Sequence, residues 1–146
     1  RADGPSGRSH EIRRKRRSAV RGAILVVDDD EKTCRLISES LRLEGFSVAT
    51  ARNGQDALLL LEREPPDLII LDLGLPEWDG IETLRQLRQR AGEVGVVILT
   101  AYGTVARARE AKALGVREFL GKPFDRDRLL RIVADEVEGR RLGLAG

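Results

Sequence analysis

Leu68-Ile69-Ile70-Leu71-Asp72 is the stretch that decides the fold. Four large apolar residues in succession leave no polar face for water, so they read as a strand covered on both sides. That is the pattern of a parallel sheet between two helix layers. Asp72 closes the run at the carboxyl end of the strand, the edge where open α/β folds bind ligands. The same arrangement recurs on either side. Ile24-Leu25-Val26-Val27 leads to Asp28 and Asp29, Val96-Val97-Ile98-Leu99 leads to Thr100, and Glu118-Phe119-Leu120-Gly121 leads to Lys122-Pro123.

Strands are expected at about 23–27, 46–50, 67–71, 95–99 and 116–120. The second, Phe46-Ser47-Val48-Ala49-Thr50, alternates in polarity and reads as an edge strand. Helices fill the gaps. Cys34, Ile37 and Leu41 recur at helical spacing, which makes Cys34 a core residue rather than a reactive thiol. Asn53 caps a helix carrying Ala57, Leu60 and Leu61, and Asp79-Gly80 opens one carrying Ile81, Leu84 and Leu87. Asp125 caps one carrying Leu129, Ile132, Val133 and Val137. The segment 104–114 offers only Val105, Ala108 and Ala111, so it should be the least firmly held. Connections of this length demand right-handed crossovers. The expected fold is α/β, a doubly wound five-stranded parallel sheet flanked by five helices.

The chain has 146 residues, enough for one domain with a full core and too few for two ordinary ones. Its net charge of +2 conceals two halves. Residues 1–22 hold eight Arg or Lys against Asp3 and Glu11, giving +6, while 23–146 hold 18 basic and 22 acidic residues, giving −4. Basic character belongs to the head, so the folded part is not read as a nucleic-acid-binding domain. Residues 1–22, with the run Arg13-Arg14-Lys15-Arg16-Arg17, read as a flexible basic leader or linker. Residues 23–138 form the domain, and 139–146 read as a tail or the start of a linker. With no Met in the sequence, Arg1 is not a retained initiator, and the chain is expected to be part of a longer protein. No stretch nears the ~20 apolar residues of a membrane span. One Cys excludes an internal disulfide and fits a reducing, cytoplasmic setting. His10, the one histidine, lies in the head, which excludes a Ser/His/Asp or Cys/His nucleophile.

The strand-end residues converge on one chemistry. Mg²⁺ takes oxygen ligands, keeps waters, and binds through carboxylates plus phosphate oxygens. Asp28, Asp29 and Asp72 supply the carboxylates, and the Gly74 carbonyl can add another oxygen. Lys122 would pair with Asp72 at rest and with phosphoryl oxygens later, and Thr100 can donate to one of them. A cis bond before Pro123 would aim Lys122 inward. No Gly-rich phosphate cradle is present, so a phosphate must be held by metal, lysine and hydroxyl, with a carboxylate as nucleophile. Asp72 is the one central enough.

Val26-Val27-Asp28-Asp29, Leu71-Asp72-Leu73-Gly74-Leu75-Pro76 with Asp79-Gly80, Ile98-Leu99-Thr100-Ala101 and Phe119-Leu120-Gly121-Lys122-Pro123-Phe124 together resemble the receiver domain of bacterial two-component response regulators. The resemblance spans roughly residues 23–138 and implies a flavodoxin-like fold. It implies that Asp72 accepts a phosphoryl group from a phosphohistidine on a sensor histidine kinase or phosphotransfer protein, with Mg²⁺ present. It further implies that Asp29 and Asp72 bind the metal directly, Asp28 mainly through water, and Gly74 through its carbonyl. Thr100 and Phe119 would be the switch pair, and the output domain or partner would lie outside this chain. A regulatory domain is implied, with at most slow self-dephosphorylation, rather than an enzyme. The segment Thr100-Ala101-Tyr102-Gly103-Thr104-Val105 looks most like receivers of the nitrogen-regulation type, with Tyr102 at the rim of the site.

On switching, Phe119 would turn inward behind Thr100 and change the 104–125 face. Arg107, Arg109, Lys112, Arg117, Glu118, Asp125 and Asp127 stand there, and their mixed signs could pair in a homodimer. Trp78, in the loop after Asp72, is expected to pack within that loop. Two rivals stand beside this reading. One is an aspartyl-nucleophile phosphohydrolase of the haloacid-dehalogenase type, disfavoured because Lys32 stands where that family needs Thr. The other is a degenerate receiver acting only as a docking module, disfavoured because every acceptor-site residue is present.

Overall fold

A computed structural model of the chain describes residues 21–101 and 103–141. The expectations for the head (1–20), Tyr102 and the last tail residues (142–146) lie outside the described residues.

Strands and helices alternate throughout. They run β1 Ala23–Val27, α1 Glu31–Leu43, β2 Ser47–Ala51, α2 Gly54–Arg63, β3 Leu68–Leu71, α3 Gly80–Ala91, β4 Gly95–Thr100, α4 Val105–Ala113, β5 Glu118–Gly121 and α5 Arg126–Arg141. The strands form one parallel sheet in the order β2-β1-β3-β4-β5. The reversal of order between β1 and β3 marks the switch point where doubly wound sheets open a crevice. Side chains alternate across each strand, and two cores result. Leu25, Val27, Ile69, Leu71, Val96 and Ile98 pack beneath α2, α3 and α4. Ile24, Val26, Leu68, Ile70, Val97 and Leu99 pack beneath α1 and α5. Both faces of β1, β3 and β4 are thus buried, as their unbroken apolar runs require.

Caps set the helix starts. The side chains of Asn53 and Asp79 accept backbone N–H groups of Asp56 and Glu82 at 2.8 and 2.9 Å, and Asp125 accepts from Arg128 N at 3.2 Å. Cys34, Ile37 and Leu41 form the buried stripe of α1, as expected. Three expectations need correction. In α2 the buried stripe is Gly54, Ala57, Leu58 and Leu61, while Leu60 is only partly buried. Four consecutive leucines cover every side of the helix, so periodicity does not distinguish Leu58 from Leu60 there. Phe46 precedes β2 rather than starting it, filling the second core beneath the Arg21 guanidinium, 4.7 Å from its ring centroid. Val105 is 72 % exposed, so Ala111 is the fully buried residue of α4.

Ordered contacts also reach both ends of the described residues. Arg21 N donates to the Gly45 carbonyl at 3.0 Å, and the Gly22 carbonyl accepts from Ser47 N at 2.9 Å. Both residues therefore belong with β1, although a charge and a glycine gave no sign of it. Helix α5 runs on to Arg141, through residues read above as tail.

Candidate phosphoacceptor site

Asp28 follows β1 and Asp72 follows β3, neighbouring strands whose last residues Val27 and Leu71 lie side by side. Their carboxylates are buried, at 3 % and 4 % exposure, whereas Asp29 is exposed. One oxygen from each of the three lies within 4.8 Å of the others. Lys122, just beyond β5, brings its ammonium to both buried acids. Nζ donates to Asp28 Oδ2 at 2.6 Å and to Asp72 Oδ2 at 3.0 Å. Lys122 was expected beside Asp72 at rest, and it bonds that carboxylate. The structure places it nearer Asp28, because one point charge between two buried carboxylates offsets both. The Lys122–Pro123 bond is cis.

The other oxygen of Asp72 is held separately. Thr100 Oγ1 donates to Asp72 Oδ1 at 2.7 Å, and Gly74 N donates to the same oxygen at 2.9 Å. Asp72 thus receives an ammonium, a hydroxyl and a backbone N–H from three separate segments. Burial pushes the Asp28 carboxyl above its ordinary range, and the bonds from Lys122 and Asp30 N only partly counter it. For Lys122, burial alone would lower the ammonium. Its bonds to Asp28 and Asp72 outweigh that and raise it, so the charge is secure at neutral pH.

Phe119 stands on the same side of the sheet as Thr100 and is partly buried against the first core. A Cβ built on Gly103 would come 3.0 Å from the Phe119 ring and 4.0 Å from the Thr100 methyl. The two side chains of the expected switch pair therefore meet at a residue that leaves them room. Trp78 packs over the start of α2 rather than within its own loop: a Cβ on Gly54 would lie 3.0 Å from its ring and 2.4 Å from Thr83 Oγ1.

Sequence reading missed the parts that three residues play around the site. Asp30 caps α1 and accepts from Thr33 Oγ1 at 2.7 Å, a bond that lowers its carboxyl pKa. The signal was an Asp just before the first apolar-periodic residue. Gly80 is required by packing, since a Cβ there would fall 2.3 Å from Leu73 Cα and 2.6 Å from the Asp72 carbonyl oxygen. Arg107 crosses from α4 to the Leu73 carbonyl, and no local pattern announces that reach.

Comparison with known proteins gives this arrangement its family. The model of the response regulator receiver domain matches residues 24–134. Regulatory protein AtoC of Escherichia coli is 39% identical over 110 residues, covering 75% of this chain and 24% of that protein. Sporulation initiation phosphotransferase F of Bacillus subtilis is 39% identical over 106 residues, covering 73% of this chain and 86% of that protein. Among solved structures, the receiver domain of the Francisella response regulator 1452 superposes with a TM-score of 0.74 at 31% identity, covering 82% of this chain and 98% of that one. NtrX from Brucella abortus in complex with ADP gives 0.77 at 31%, covering 84% of this chain and 28% of that one.

The chain belongs to the response regulator receiver domain family. It spans about a quarter of the length of the transcriptional regulators it matches. No helix among the described residues is long and apolar enough to cross a membrane.

Proposed function

We propose that this domain is a phosphoacceptor switch in which Asp72 takes a phosphoryl group from the phosphohistidine of a sensor histidine kinase or phosphotransfer protein. One observation carries the reading. Asp72 is a buried carboxylate whose oxygens face Lys122 Nζ, Thr100 Oγ1 and Gly74 N, with two further carboxylates beside it. In the transfer an Asp72 oxygen attacks phosphorus, the P–N bond breaks, and the electron pair leaves with the imidazole. Lys122 and Thr100 are the donors placed to meet the transferred oxygens.

The donor set suits Mg²⁺. Three carboxylates of hard oxygen converge, and a lone ammonium leaves the cluster a net negative charge. Asp28, Asp29 and Asp72, with the Gly74 carbonyl, would hold the ion, which would supply positive charge against the phosphoryl oxygens. Thr100 and Phe119 form the switch pair, and the 104–125 face carries the change to an output domain or partner, or to a second copy of this chain. Arg109, Lys112, Glu118, Asp125 and Asp127 supply exposed or partly exposed charge of both signs there. Reaction is regulatory, with turnover limited to slow loss of the phosphoryl group.

Incubation with acetyl phosphate and Mg²⁺ should add one phosphoryl mass to the intact protein as a labile acyl phosphate. Asp72→Asn should abolish it, and chelation of the metal should suppress it. Undiminished labelling of Asp72→Asn would overturn the assignment. Continuous hydrolysis of phosphoesters would instead favour the phosphohydrolase, and no labelling at all the docking module.

A further inference from the structure

The loop after Asp72 is held from a direction that the switch pair does not use. Arg107, in the first turn of α4, places Nη2 3.2 Å from the Leu73 carbonyl oxygen. That oxygen also accepts from Gly80 N at 2.8 Å. The Leu73 carbonyl and the Gly74 N–H belong to one peptide, and that N–H donates to Asp72 Oδ1 at 2.9 Å. A peptide is planar and conjugated, so a donor on its oxygen and an acceptor on its hydrogen polarise one another. An unbroken path of guanidinium, peptide and carboxylate therefore joins α4 to Asp72. It passes through neither Thr100 nor Phe119.

Two further observations favour a specific role over a surface cation at rest. Arg107 Nε is shielded from solvent and has no hydrogen-bond partner among the described residues. An unmet buried donor is costly, a cost that a free guanidinium would avoid by turning to water. The alternative partner, Asp79, is 3.9 Å away with a half-exposed carboxylate, a separation at which an exposed ion pair contributes little.

We propose that Arg107 is a positioning residue that couples α4 to the acceptor carboxylate through the Leu73–Gly74 peptide, as a second arm beside Thr100 and Phe119. The proposal rests on the phosphoacceptor reading of Asp72. Whichever oxygen of Asp72 bonds to phosphorus, Oδ1 loses negative charge and accepts more weakly. The Gly74 N–H bond then weakens, the Leu73 carbonyl becomes a poorer acceptor, and Arg107 releases the first turn of α4. Arg107 thus stabilises the unmodified state over the modified one, and by linkage its removal favours modification.

The test is carried out on wild type, Arg107→Ala, Arg107→Lys and Ala106→Gly, each first checked for wild-type-like thermal unfolding. In the metal-free protein, Arg107→Ala should move the Gly74 amide proton upfield, and Arg107→Lys should restore part of the shift. Beryllofluoride with Mg²⁺ should bind Arg107→Ala about threefold or more tighter than wild type, a modest value for coupling between sites. Ala106→Gly, at an exposed position on the same helix, should match wild type in both. If wild type does not bind beryllofluoride, the acceptor reading fails, and the Gly74 shift alone decides whether the peptide link exists. If wild type binds it and Arg107→Ala leaves the shift and the affinity unchanged, the coupling is overturned. Equal effects from Ala106→Gly would overturn it too, by showing a general loosening of α4. If Arg107→Ala fails to fold, Arg107→Lys decides by the same two readouts.

Discussion

At the scale of single residues, the site is a contest between burial and charge pairing. Asp28 and Asp72 are as buried as core side chains, which a carboxylate tolerates only when paired and hydrogen-bonded. Lys122, Thr100, Asp30 N and Gly74 N provide that pairing. Cys34 lies beside them without sharing their chemistry. Its Sγ donates to the Asp28 carbonyl at 3.2 Å, and burial, with the nearby Asp28 charge, pushes the thiol up to about 11 from 9.0. Two units leave about a hundredfold less thiolate at pH 8. Alkylation by iodoacetamide in metal-free buffer should therefore be at least tenfold slower in the folded protein than in urea. Equal rates would show that the thiol is not protected. The sign for stability follows from the same shift. The unfolded chain deprotonates first as pH rises past 9, so the Cys34 contribution is intact below 9 and lost between 9 and about 11.

At the scale of elements, α4 differs from its neighbours. Helix α3 buries Ile81, Leu84 and Leu87, whereas α4 buries only Ala111 completely. At about 25 cal/mol per Å² of apolar surface, that difference leaves α4 with far less hydrophobic stabilisation. Polar contacts hold it in place: Arg85 meets Glu110 at 3.2 Å, and Arg107 meets Leu73. Directional contacts break over short displacements, while apolar packing resists them, so α4 can shift without disturbing the sheet. Hydrogen exchange measured with and without beryllofluoride and Mg²⁺ should change most across 100–120 and hardly at all in α2. A largest change on α2 would place the output elsewhere. The expectation that this helix is weakly held came from the sequence, and its stated face holds at Ala111 and in part at Ala108 but fails at Val105. Val105 projects to solvent because α4 begins there, beyond the edge of the core.

At the scale of the whole molecule, the two edges of the sheet divide the work. The carboxyl edge gathers acids around Lys122, and the opposite edge is closed by arginines on carbonyls. Arg88 donates to the carbonyls of Leu114, Gly92, Val94 and Gly115 at 2.5–3.0 Å, binding the end of α3 to the turns before β4 and β5. Arg88→Leu strands several of these carbonyls and should cost about 2–3 kcal/mol in urea unfolding. Arg88→Lys should recover only part, because an ammonium cannot span the planar fork. No loss with Arg88→Leu would show that water replaces the guanidinium freely. The sequence by itself determined the parallel sheet, the two-layer core, the caps Asn53 and Asp79, and the convergence of Asp28, Asp29, Asp72, Thr100 and Lys122. Those features follow from local periodicity and from the rule that parallel strands present their carboxyl ends together. Only the tertiary structure decided that Lys122 sits nearer Asp28, that Val105 is exposed, and that Arg88 and Arg107 reach neighbouring turns. A long side chain chooses its partner by the relative placement of segments far apart in the chain, and that placement is set by packing, which no local pattern records.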